Sequence, residues 1–88
     1  MIKYEIGNIH HQGNSQFCEA FLQGNTIEEV VNIRKKSHNS HGNVIYKVDY
    51  SKCKKVNRTY GMSQGLRTLP LVVERVGYWF DGDGNPIY

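Results

Sequence analysis

Gly24-Asn25-Thr26-Ile27-Glu28-Glu29-Val30-Val31-Asn32-Ile33-Arg34-Lys35-Lys36 is the stretch on which the fold turns. Thr26 followed three residues later by Glu29 forms a capping box, in which hydroxyl and carboxylate each take a free backbone N–H of the first turn. Ile27, Val30, Val31 and Arg34 recur at helical spacing. Glu28 and Glu29 sit at the positive end of the helix dipole, and Arg34, Lys35 and Lys36 at the negative end. The spacing predicts a helix from Ile27 to Ser37 or His38. It leaves through Asn39-Ser40-His41-Gly42, where Gly42 suits a left-handed residue.

Strands surround this helix. Ile2, Tyr4 and Ile6 alternate with Lys3 and Glu5, the period of a half-buried strand. His10 to Ser15 reads as a turn-rich break. Gln16–Leu22 reads as a second strand, with Cys18, Ala20 and Leu22 toward the core and Phe17 and Phe21 at a rim. After the helix, Val44, Tyr46, Val48 and Tyr50 alternate with Ile45, Lys47 and Asp49. A further strand is expected over Lys54–Tyr60, a loop over Gly61–Thr68, and a strand over Leu69–Phe80. In that last strand Pro70 belongs at an edge or entrance, and Gly77 marks a bulge. Asp81–Asn85 is a tight reversal that brings Pro86-Ile87-Tyr88 back as a short final strand.

The resulting reading is β-β-α-β-β-β. One helix packs on a single antiparallel sheet of about 4–6 strands, a two-layer α+β protein. Its 88 residues form a single globular domain spanning 1–88. A chain of this size buries only about 60–65% of its unfolded surface, which leaves little room for an enclosed active site. No run of apolar residues reaches membrane-spanning length, and Met1–His10 is too polar for a signal peptide. The expected compartment is the cytoplasm. Cys18 and Cys53 read as free buried thiols.

Charge is unevenly distributed along the chain. Arg34, Lys35, Lys36, Lys47, Lys52, Lys54, Lys55, Arg58 and Arg67 face a single acid, Asp49, so residues 34–67 carry +8. The rest of the chain carries −5, for a net charge of +3. A basic face of this kind attracts phosphate backbones or acidic protein surfaces.

The sequence holds no catalytic constellation. His10-His11, His38 and His41 with Cys18 and Cys53 lack the spacing of a zinc site. Asp81, Asp83 and Asn85 begin like a calcium loop, but Pro86 stands where that loop needs glycine. Ser40 has no organised base. Lys52, Lys54 and Lys55 around Cys53 favour a lowered thiol pKa, yet no acid or histidine is placed to make it a catalyst. No enzyme activity, metal or cofactor is expected. Aromatics interleave with the basic residues at Tyr46, Tyr50 and Tyr60, but alternation puts Tyr46 and Tyr50 with Val44 and Val48 on the core side. Trp79 is out of register with Val76, Tyr78 and Phe80. It therefore serves either as an exposed anchor or as a residue covered by the Gly61–Thr68 loop. The binding residues expected from the sequence are Arg34, Lys35, Lys36, Lys47, Lys52, Lys54, Lys55, Arg58, Tyr60, Arg67 and Trp79.

Three segments in order are Gln16-Phe-Cys-Glu-Ala-Phe-Leu22, Thr26-Ile-Glu-Glu-Val-Val-Asn-Ile-Arg-Lys-Lys36 and His41-Gly-Asn-Val-Ile-Tyr-Lys-Val48. Their strand, basic-ended helix, His-Gly pair and strand resemble small phage-encoded anti-CRISPR proteins of the type I-F group. Gly77-Tyr-Trp-Phe80 has a loose counterpart in the terminal strand of one such family. The resemblance covers residues 16–50. The basic middle, the 61–68 loop and the C-terminal hairpin depart from it, and it carries over no site residue. It implies a non-catalytic inhibitor that docks, through a basic face, on a host defence or nucleic-acid-handling protein complex. The alternative is direct nucleic-acid binding by residues 34–67. The sequence leaves the oligomeric state open.

Overall fold

The computed structural model describes residues 1–37, 42–58 and 65–88, with the side chain of Arg58 excepted. It is an α+β protein, with four strands and one helix among the described residues. The elements are β1 (Ile2–Gln12), β2 (Ser15–Gly24), α1 (Ile27–Lys36), β3 (Val44–Arg58) and β4 (Gly65–Tyr78). All strand pairs are antiparallel, and the sheet closes on itself in the order β1-β2-β4-β3. Closure is the main departure from a flat two-layer arrangement. It comes from the length of β3 and β4, which wrap round to reach both β1 and β2. The β2–β4 seam is narrow: Phe17 opposite Leu71 is its register pair.

The helix begins where the capping box placed it. Thr26 Oγ1 accepts from the Glu29 N–H at 3.1 Å, and Glu29 Oε2 accepts from the Asn25 N–H at 2.7 Å. Ser37 is the C-cap. His38–His41 lie outside the described residues, and Gly42 beyond them has a φ of 97°. Gly24 lets α1 start directly against the end of β2, because a Cβ there would stand 2.6 Å from the Val30 nitrogen. Thr26→Ala removes one cap acceptor and is expected to cost about 1 kcal/mol. In a domain of this size that lowers Tm by about 4–8 °C in a thermal melt followed by circular dichroism; an unchanged Tm would show that the cap contributes nothing.

Two clusters form the core. Val30 and Val31 of α1 pack on Ile6 and Ile45, with Tyr4, Leu22, Ile27, Val76 and Trp79 around them. Phe17, Val56 and Leu69 form the second, with Leu71 against it. The face expected of β2 is corrected here: Phe17 and Cys18 are both buried, whereas Ala20 is exposed. Both faces of β2 are covered at this point, since Phe17 packs on Val56 and Leu69 while Cys18 lies beside the buried Glu5. A bulge further along moves Leu22. Ile6 pairs with Leu22 but Gly7 with Ala20, so Phe21 is an extra residue. The alternation slips by one, and Leu22 lies on the face of Phe17 rather than that of Cys18. Gly7 permits the bulge, since a Cβ there would meet the Glu19 carbonyl oxygen at 2.1 Å.

Strand boundaries differ in the same spirit. β1 runs through His10 and His11, and the turn shrinks to Gly13-Asn14. The two strands expected over 44–50 and 54–60 are one bent strand, and β4 starts at Gly65 rather than Leu69. Between the pairs Asp49–Leu71 and Lys54–Leu69, β3 spends residues 50–53 opposite Pro70 alone. A proline has no N–H to offer a ladder, so this is where the strand bows out. The expected bulge beside Gly77 is present: Ile45 pairs with Gly77 and Tyr46 with Arg75. The C-terminal return reduces to a single bridge, Phe80 to Pro86, with the Ile87 N–H donating to the Trp79 carbonyl.

Candidate binding surface

The bow in β3 has a local cause. Asp49 Oδ1 accepts from the Ser51 backbone N–H at 2.9 Å and from its hydroxyl at 2.6 Å. These two bonds, with help from the N-terminal ammonium 3.6 Å away and from Lys52, hold the Asp49 carboxyl below its ordinary range. The turn makes the chain present Lys52, Cys53, Lys54 and Lys55 in succession. Lys52, Lys54 and Lys55 are exposed, and none of the three has an ion pair among the described residues.

Beyond the bow, β3 and β4 continue as a two-stranded arm, with Lys55 opposite Thr68, Val56 opposite Arg67 and Arg58 opposite Gly65. Val56 and Leu69 anchor the arm in the second core cluster. Leu66, next to Arg67, is 70% exposed. Arg67 Nη1 donates to Glu19 Oε2 at 3.3 Å, and Glu19 Oε1 lies 3.0 Å from His10 Nε2. His10 is therefore a buried strand residue, not the loop histidine expected from the sequence.

The structure gathers some of the sequence-derived residues and scatters others. Lys52, Lys54, Lys55, Arg58 and Arg67 share the bow and the arm. Tyr60 lies outside the described residues. Lys47 sits on β3 between Tyr4 and Glu74 in register. Lys35 and Lys36 are exposed at the end of α1. Arg34 is engaged inward: its Nε donates to the Gly42 carbonyl at 3.0 Å and its Nη2 to Asn43 Oδ1 at 3.3 Å. Its guanidinium also lies 5.4 Å from the centre of the Trp79 ring. Trp79 is half-buried against the first core cluster, and its Nε1 donates to Asn43 Oδ1. Trp79 and Arg34 thus pin the helix exit to the end of β4.

Sequence reasoning missed one polar cluster. Glu5 is fully buried. Its Oε2 accepts from Gln23 Nε2 at 2.6 Å and from the Tyr50 hydroxyl, while its Oε1 has no partner among the described residues. Burial, followed by the Glu5 charge, pushes the Cys18 thiol well above its ordinary range. Burial and then the hydrogen bond to Glu5 push the Tyr50 hydroxyl up as well. The lysines around Cys53 do not lower its pKa as expected. Burial raises it first, and Asp49 and Glu5 raise it further. Cys53 Sγ donates to the Tyr50 carbonyl at 3.2 Å. Both cysteines are free thiols, held protonated at neutral pH.

No protein-family model matches this chain, and comparison with curated proteins and with solved structures gives no match. Among the described residues no helix is long and apolar enough to cross a membrane.

Proposed function

We propose that this chain is a small non-catalytic binding protein, an inhibitor of the phage type acting in the host cytoplasm. It docks through the β3 bow and the β3–β4 arm on an acidic surface of a host protein or nucleoprotein complex. The observation that carries this reading is the composition of the arm. Leu66 is 70% exposed and, by strand alternation, shares its face of the arm with the exposed Lys55, while Lys54 and Arg67 are exposed on the other face. An apolar side chain among cations suits a protein interface, where apolar anchors are ringed by polar contacts. A phosphate backbone has no use for it.

The aromatics favour the same choice over the nucleic-acid alternative. Tyr50 spends its hydroxyl on Glu5, and Trp79 its indole N–H on Asn43. The Trp79 ring also carries the Arg34 guanidinium 5.4 Å from its centre and packs on the first core cluster, so it is not an open face on which an unpaired base stacks. The resemblance of residues 16–50 supplies the class of partner.

Affinity capture from nuclease-treated host lysate tests the reading, with wild-type, K54E/K55E and L66A baits. A partner that survives nuclease treatment is expected, with retention falling at least tenfold for both variants. The parallel arm is binding to labelled single- and double-stranded DNA and RNA at about 50 and 200 mM salt, where phosphate contacts weaken steeply. Micromolar binding that collapses with salt and ignores L66A would replace the docking reading with the nucleic-acid one.

A further inference from the structure

The bow in β3 does more than display lysines. It opens a cleft of about 340 Å³ lined by Ser15, Phe17, Lys52, Cys53, Lys54 and Leu71. We propose that this cleft binds a small amphiphilic carboxylate, an apolar chain or ring that ends in a single negative charge. The inference stands apart from the docking reading, although Lys52 and Lys54 would serve both.

The cleft has a physical origin. Residues 50–53 of β3 have left the ladder, and Pro70 opposite them cannot restore it. The space between the strands is therefore not filled by hydrogen-bonded backbone. Its size is at the lower end of the roughly 300–1,000 Å³ typical of small-molecule sites. Half-buried Leu71 supplies apolar wall, with the buried Phe17 ring behind it in the second core cluster. Cys53 adds a neutral, soft surface, because its thiol stays protonated and is already engaged by the Tyr50 carbonyl.

The rim selects the charge. Lys52 and Lys54 line the cleft, and among the described residues no acid does. The charges of Asp49 and Glu5 reach Cys53, and that of Asp49 reaches Lys52, but neither carboxylate lines the cleft. Asp49 is held by Ser51 and faces the N-terminal ammonium, and Glu5 is held by Gln23 and Tyr50. An apolar body on Leu71 with its charge between two ammonium groups matches these walls. A cation would meet like charge at the rim, and a neutral chain would leave the lysines unused.

The test is a two-dimensional ¹H–¹⁵N NMR titration of the whole chain with sodium octanoate, 1-octanol and octyltrimethylammonium. Octanoate is expected to shift the amides of Ser15, Phe17, Lys52, Cys53, Lys54 and Leu71 saturably, with a Kd below about 1 mM (about −4 kcal/mol). It should also slow alkylation of Cys53 by iodoacetamide at least threefold. K52Q/K54Q and K52E/K54E keep the apolar walls, and their own spectra report whether they fold. They should weaken octanoate at least tenfold. Octanol binding as tightly as octanoate, shifts scattered over the surface, or variants that bind octanoate unchanged would each overturn the proposal.

Discussion

Phe17→Ala is expected to cost about 3–5 kcal/mol, the range for removing a buried aromatic ring. In a domain of this size that lowers Tm by on the order of 15–30 °C, a large part of the whole stability. Burial alone does not set this cost. Phe17 is the centre of the second core cluster, where Val56, Leu69 and Leu71 meet it. It also forms the β2–β4 register pair with Leu71 that closes the sheet. Urea unfolding followed by circular dichroism measures the loss. F17L keeps most of the apolar contact and should recover more than half of it. The two variants should also separate functions. F17A loosens the arm and opens the cleft wall, so partner capture and octanoate binding fall together even below its Tm. A loss under about 1 kcal/mol would show that the β2–β4 seam contributes little and that the arm is held from β3 alone.

The helix and the strand order up to Tyr50 were legible because their signals are local. Thr26 and Glu29 cap the helix, Glu28 and Arg34–Lys36 polarise it, and Val30 and Val31 mark its buried side. Closure of the sheet had no such signal. It depends on Phe17 meeting Leu71 across more than fifty residues, and nothing near either residue announces the other. The bulge at Phe21 had only Gly7 to hint at it, on a different strand. Polar composition hid the continuity of β3 through Tyr50-Ser51-Lys52-Cys53, since alternation stops where the strand bows out. The buried Glu5 was hidden by the opposite rule. Its neighbours Ile2, Tyr4 and Ile6 place it on the face read as polar, and only packing on both faces of β1 buries it. Of the binding residues, the cations of the bow and arm were visible as a run in sequence. The inward engagement of Arg34 and Trp79 was not, because Asn43, their shared partner, carries no pattern of its own.

That hidden carboxylate leads to the second large effect, a steep loss of stability in alkali. The Cys18 thiol is raised from an ordinary value of 9.0 by burial, by Glu5 and by Glu19. In the unfolded chain it loses its proton around pH 9; in the native fold it keeps it. Above that pH the unfolded state binds fewer protons than the native state, so the free energy of unfolding falls as pH rises. The slope approaches about 1.4 kcal/mol per pH unit for each such group. Stability from Cys18 is thus complete below pH 9, and about 2–3 kcal/mol of it should be gone by pH 11. Tyr50, also raised and joined to the same carboxylate, acts in the same direction. Urea midpoints in reducing buffer at pH 7, 9 and 10.5 measure the trend. C18A is less stable than wild type at pH 7, because it leaves a small void at a fully buried site. The gap should narrow as pH rises past 9 and then close, since the variant has no thiol to ionise on unfolding. Parallel curves for the two proteins would mean that Cys18 reaches water in the native state, and with it that the Glu5 cluster is not sealed. A narrowing gap would instead establish that the Cys18 thiol keeps its proton inside the closed sheet, beside the buried Glu5.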